Sequence, residues 1–297
     1  MILHHYEMSP FSEKTRLMLG YSALPWQSVL SPSMPPRPNV LPLAGAYRKM
    51  PVAQIGADVF CDSRIIAEEV ANITGLALLN VNQCDAAVKA FAQSMDSEVF
   101  MSVLGSIPPM RIQRELYRQL GLFSMLKFLK DRIGMARTAT VKMTSTIDTS
   151  QHWATLDDML VKDFLFGDEP CAADFSAYHS LWFVHYVAKM PLPDHSRVAA
   201  WYHRMHAFGH GERSDISPEQ AFDEAAHSAP RSIGREQTQD ANIGKAVSIA
   251  PTDYARDAVQ GELVAASETR WILARDDARC GLVHVHFPRQ GFELISV

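Results

Sequence analysis

The chain has 297 residues, 47% of them apolar and 21% charged, a composition that supports a sizeable buried core and excludes disorder throughout. Its formal charge of -5 offers no general basic surface, so nucleic acid is not an expected partner. Residues 215–297 hold 8 basic and 13 acidic side chains, so the whole acidic excess lies in that tail.

Ile2 to Tyr6 predicts a short strand, and Phe11 to Gly20 a helix with Glu13 early, Arg16 late and Gly20 at its end. Trp26 to Leu30 predicts a second strand. The prolines between Pro32 and Pro42 require an irregular loop, because proline has no amide proton for a helix or ladder. Val52–Ile55 and Val59–Cys61 flank Gly56-Ala57-Asp58 as a hairpin would. Asp62 and Ser63 are cap-type residues ahead of Ile66, Val70 and Ile73 at helical spacing, with Gly75 closing the helix.

From Asp85 to Phe208 the pattern is that of long helices, interrupted at Pro108-Pro109, Gly167 and Met190 to Pro193, which predicts an all-helical bundle. Residues 213–244 are expected to be a linker. Short alternating runs around Val247, Leu263, Trp271, Leu282 and Phe292 predict a small antiparallel β domain over 245–297. No run is long enough to cross a bilayer, and Met1 to Tyr6 has no basic region followed by an apolar stretch; the expectation is a cytoplasmic protein with no membrane partner.

Four cysteines without a Cys-x-x-Cys pair suggest free thiols rather than a disulfide framework or zinc ribbon. Cys61 beside Asp62 reads as a core thiol. His203, His206 and His210 at helical spacing, and His284 with His286 on one strand face, are the only metal-like groupings, and neither brings a further ligand at a familiar spacing, so no metal is assigned. Tyr178, Trp182, Phe183 and Tyr186 read as helix packing that could also line an apolar substrate pocket.

Three segments carry chemistry. Ser9-Pro10-Phe11-Ser12 lies at a strand-to-helix junction, where open amide groups and the helix dipole favour an anion such as a thiolate. Lys49-Met50-Pro51 precedes a strand, where a cis bond would expose the Met50 backbone to a peptide-like ligand. Asp62-Ser63 opens a helix with amide and hydroxyl donors for a carboxylate, and an acid for an ammonium. Together they describe a site for a small zwitterionic peptide bearing a thiol.

Residues Ser9 to Leu17 resemble the active-site segment of the glutathione transferase superfamily, in its tau and omega classes, with Ser where omega enzymes have Cys. The resemblance covers about residues 1–210. It implies a thioredoxin-like α/β glutathione-binding domain over 1–80 and a helical domain over 85–212. By it Ser9 would donate to the glutathione sulfur, stabilising the thiolate, while Phe11, Met50, Pro51, Asp62 and Ser63 would bind the peptide. Lys49 either meets the glycine carboxylate or is simply solvated. Ser9 also fits a plain helix cap, and Ser12 is its rival as thiol activator. Leu165 to Phe175 resembles the family's helix-capping segment, with Cys171 where Ser or Thr usually stands.

Without Cys at positions 9 and 12, disulfide exchange through a protein thiol there is disfavoured. The implied activity is conjugation of glutathione to a small hydrophobic electrophile, or reduction of a peroxide, by a homodimer. The alternative is a non-catalytic glutathione-binding adaptor whose C-terminal β domain holds a protein partner.

Overall fold

The computed structural model describes residues 1–138 and 147–296. The expected elements of the first unit form: β1 (Ile2–His5), α1 (Pro10–Tyr21), β2 (Trp26–Leu30), the short α2 (Leu41–Ala44), β3 (Val52–Ile55), β4 (Asp58–Cys61) and α3 (Ser63–Thr74). β1 pairs parallel with β2 and antiparallel with β3, and β3 pairs antiparallel with β4, which is the thioredoxin-type arrangement. Gly75, at φ 77°, closes α3 in the left-handed conformation that glycine adopts without penalty. Gly20 does not end its helix. It lies inside α1, where the backbone of Phe208–Gly209 comes so close that a Cβ would stand 2.2 Å from the Gly209 carbonyl oxygen.

The helical part follows as α4 (Ala86–Ser94), a π-helical turn Met95–Val99, α5 (Phe100–Ser106), α6 (Pro109–Thr138), α7 (Thr149–Met159), α8 (Ala172–Trp182) and α9 (Ser196–His206). α6 bends at Gly121, whose φ of 73° and ψ of 170° are not helical. The stretch 139–146, read as part of the helical run, lies outside the described residues. α8 packs on α1, and Phe175, Tyr178, Leu181 and Trp201 join Leu17, Met18 and Phe60 in one core that spans both parts.

The expected linker is a correction. Residues 213–244 contain β5 (Arg213–Asp215), which pairs parallel with β2, and α10 (Pro218–Ala226). The apolar signal in α10 is short, yet it buries Ala221, Phe222 and Ala225, and Ser217 and Gln220 close a capping box at its start.

The C-terminal strands β6 (Ala246–Pro251), β7 (Val259–Ala266), β8 (Arg270–Asp277), β9 (Gly281–Pro288) and β10 (Phe292–Ser296) pair antiparallel among themselves, as expected. They do not stand apart. β9 pairs parallel with β4, and the described strands make one ten-stranded sheet in the order β10-β6-β7-β8-β9-β4-β3-β1-β2-β5. The pairing covers the free edge of β4, a strand buried at all four positions. Val52, Val59 and Cys61 share a second core with Val283, Val285, Phe287 and Leu273. Asp58 of β4 accepts from His286 of β9 at 2.8 Å, and Arg231 donates its amide to the same carboxylate at 3.0 Å.

Because that core is shared, Phe287→Ala should cost about 3–5 kcal/mol and leave a single urea transition when Trp26 of β2 and Trp271 of β8 report in separate single-tryptophan variants. A transition confined to Trp271 would mean that the C-terminal strands unfold on their own.

Candidate active site

The strand register brings the three chemistry-bearing segments to one end of the sheet. His4 lies opposite Val52, and Val52 opposite Cys61, across β1, β3 and β4. The turn after β1 holds Ser9, the residues before β3 are Lys49 to Pro51, and the residues after β4 are Asp62 and Ser63. Antiparallel pairing of β3 between β1 and β4 is what turns all three to the same side.

Ser9 is the N-cap of α1, with Pro10 in the first turn. Its Oγ accepts the Ser12 amide at 3.2 Å, and its own amide donates to the Tyr6 carbonyl at 3.1 Å. The cap uses a lone pair and leaves the hydroxyl proton available, so capping and donation to a ligand are compatible roles for one hydroxyl. Ser12 is fully buried, and its hydroxyl has no hydrogen-bond partner among the described residues.

The turn that carries Ser9 is held from beneath by charges that the sequence suggested were helix-end residues. Glu13 and Arg16 are both buried. Arg16 donates to Glu13 Oε2 at 2.7 and 3.1 Å and to the Glu7 carbonyl at 2.9 Å, and its Nη1 lies 3.0 Å from His5 Nδ1. Burial, and the Arg16 charge beside it, push His5 down to about 2, so it is a neutral acceptor at neutral pH. His210 closes the network at 3.0 Å from Glu13.

A second buried ion pair joins the two halves. Lys14 Nζ donates to both Asp96 oxygens at 2.7 and 2.9 Å and to Ser176 Oγ at 2.8 Å. Burial is the largest influence and would raise the Asp96 carboxyl, but Lys14, His179 and Arg64 together outweigh it and hold the group below its ordinary range. Phe11 points to this junction. Its ring packs on Phe100 at 5.1 Å and His179 at 4.7 Å, so it seats α1 on the helices.

The Met50–Pro51 peptide is cis, as the sequence suggested. Asp62 caps α3 with φ 101° and ψ 137°, a conformation that non-glycine residues rarely adopt and that clusters at functional sites. Its Oδ1 accepts from the Arg64 amide at 2.9 Å and faces Arg64 Nε at 3.4 Å, and no hydrogen bond to Oδ2 occurs among the described residues. Ser63 follows, nearly buried, at the helix start.

Lys49 is not merely solvated. Its Nζ lies 2.5 Å from Asp253 and 4.1 Å from the centre of the Tyr254 ring, both on the turn between β6 and β7. Its neighbour Arg48 lies 2.6 Å from Asp131 of α6 and 3.7 Å from Asp257 of the same turn. Reasoning from sequence missed these partners because more than two hundred residues separate Lys49 from Asp253, with no pattern linking them.

Other candidates have structural partners. Burial pushes the Cys61 thiol well up. His206 meets the Tyr178 hydroxyl at 2.8 Å, His286 is held by Asp58, and no group of three His, Cys, Asp or Glu able to hold a metal occurs among the described residues. Cys171 stands at the N-cap position of α8, where Asp174 accepts its amide at 3.0 Å along with the Leu165 amide and Trp201 Nε1. A cleft of about 420 Å³ lies between Met95 and Val99 on one side and α7 on the other, and neither the candidate site residues nor Tyr178, Trp182, Phe183 and Tyr186 line it.

Lys14→Met should leave the Asp96 charge buried and unpaired at a cost of about 3–5 kcal/mol, read by urea unfolding, with Lys14→Met/Asp96→Leu recovering most of it. Because Asp96 titrates below the 3.8 of a free carboxyl, the pair's contribution is present above about pH 4 and is lost as pH falls through the folded value. Acid unfolding of the wild type should therefore be steeper than that of the double variant.

A model of the glutathione S-transferase N-terminal domain matches residues 3–76, and one of the glutathione S-transferase C-terminal domain matches residues 148–204. No curated protein matches the chain. Among solved structures, a GST-like protein from Pseudomonas syringae is 32% identical, with 99% of this chain and 98% of that one covered and a TM-score of 0.74. Glutathione S-transferases from Sinorhizobium meliloti 1021 and Rhodospirillum rubrum F11 are 21% and 18% identical, each covering 69% of this chain and 87% of their own, with TM-scores of 0.49 and 0.48. Near-complete coverage by the Pseudomonas protein extends over the C-terminal strands as well.

Proposed function

The chain belongs to the glutathione S-transferase family, and on that premise we propose that it binds glutathione at the sheet end formed by Ser9, Met50–Pro51 and Asp62–Ser63. The observation that carries this reading is the register that gathers those segments, with a capped Ser9 whose hydroxyl proton remains available. The Ser9 hydroxyl donates to the glutathione sulfur, and a charge-assisted hydrogen bond favours thiolate over thiol. The dipole of α1 acts in the same sense, because its positive end faces the sulfur.

The peptide is held at its other atoms by groups of matching charge. The Ser63 amide and hydroxyl take the γ-glutamyl carboxylate, Asp62 Oδ2 takes the ammonium, and the Met50 backbone pairs with the cysteinyl residue. Lys49 faces the glycine carboxylate. Ser9 is preferred to Ser12 because it is the N-cap, outside the first turn of α1 and at the leading position of the family-like segment, whereas Ser12 lies within the helix; both are buried. The thiolate then attacks a hydrophobic electrophile, forming a carbon–sulfur bond and expelling a leaving group or adding across a double bond. Reduction of a peroxide by the same thiolate belongs to this reading, as does a homodimer, which light scattering on the purified protein would check. Among the described residues no helix is long and apolar enough to cross a membrane.

The test is the ultraviolet difference spectrum of bound glutathione across a pH series. Loss of one charge-assisted hydrogen bond, worth about 1.5–3 kcal/mol, corresponds to roughly one to two pKa units. Ser9→Ala should therefore move the thiolate band upward in pH by that amount and reduce conjugation accordingly, while also removing a helix cap worth about 1 kcal/mol. A band indifferent to Ser9, or glutathione bound only as thiol, would contradict the mechanism and favour a binding protein without catalysis.

A further inference from the structure

Arg48 and Lys49 are consecutive cations immediately before Met50–Pro51, and both are met by carboxylates of one turn, Asp257 and Asp253, contributed by the C-terminal strands. The turn is anchored independently of those contacts. The Thr252 amide donates to the Gly291 carbonyl at 3.0 Å, Arg256 pairs with Glu293 of β10, and Ala255 is buried at φ 53°. Tyr254 lies under the Lys49 ammonium, holding it toward the turn by a cation–π contact. Asp253 is thus placed by the fold of the C-terminal sheet, and its carboxylate stands where a ligand carboxylate would seek Lys49.

We propose that Asp253 is a resident carboxylate that competes with the carboxylate of the bound peptide for Lys49, so that the C-terminal strands set the affinity of the thiol site. This rests on the reading that Lys49 faces the glycine carboxylate of glutathione. A lysine has three donors, so Asp253 need not leave when the ligand arrives; the two carboxylates share one cation, and each weakens the other's hold. The competition makes the site discriminate at the glycyl end, because a ligand without a free carboxylate there neither gains from Lys49 nor meets the Asp253 charge.

The experiment is titration calorimetry of the full chain with glutathione and with its glycyl ethyl ester, in the wild type, Asp253→Asn, Asp253→Ser, Lys49→Met and Lys49→Met/Asp253→Asn. Removing the charge should tighten glutathione by about three- to tenfold, as expected for one partly screened charge. The ester should change little, and the gain should vanish in the Lys49→Met background. Unchanged or weaker glutathione binding in both Asp253 variants, with wild-type thermal unfolding retained, would overturn the proposal while leaving the glutathione site standing. An equal gain for the ester would also overturn it. Failure of the wild type and every variant to bind either peptide would refute the glutathione reading itself, and this proposal with it.

Discussion

Strand β4 is the constraint on which the rest of the molecule depends. Its four residues, Asp58–Cys61, are all buried and all paired with β3, and Asp58 to Phe60 are paired with β9 on the other edge. A strand in that position needs apolar side chains and a partner for any polar one, and Val59, Phe60 and Cys61 meet the first need while His286 and Arg231 meet the second for Asp58. The residues that follow it, Asp62 and Ser63, are fixed by a strand that cannot shift without breaking two cores. Their position relative to Ser9 and Met50 is therefore a property of the whole sheet.

Two buried ion networks complete the support on the other side. Arg16, fully enclosed, ties Glu13, His5 and the Glu7 carbonyl into the turn that ends at Ser9, and Lys14 with Asp96 locks α1 to the helices. Such pairs need not add much stability over an apolar core, but breaking one leaves an uncompensated charge, so they restrain α1 to one seating. Ser9 therefore lies between two anchored points of the chain, the Glu7 carbonyl before it and Lys14 after it.

Much of this was legible in the sequence where signals are local. The β-α-β and β-β-α patterns, the Gly75 cap and the Asp62-Ser63 start are encoded within a dozen residues, and the segment at Ser9 to Leu17 pointed to the family. What was not legible is long-range. Alternation in β9 announces a strand but carries no label for β4 as its neighbour, so the C-terminal strands read as a separate domain. The low apolar content of 213–244 read as a linker, although β5 needs only three residues of backbone pairing and α10 only one apolar face. Arg16 read only as a charge late in its helix, and nothing local marked Lys14, because burial of a charge depends on partners elsewhere in the chain. The rim around Lys49 belongs to the same class, its carboxylate arriving from a turn that only the joined sheet brings near.

If the proposed glutathione-binding end and the C-terminal strands act as one unit, hydrogen–deuterium exchange with and without glutathione registers the ligand in both. Glutathione should slow exchange in peptides covering Ser9 to Arg16 and Lys49 to Arg64, and should also change it in the β6–β7 turn, residues 252–258. Changes confined to the first eighty residues, with 252–258 indifferent to the ligand, would mean that the C-terminal strands are not coupled to that end of the sheet.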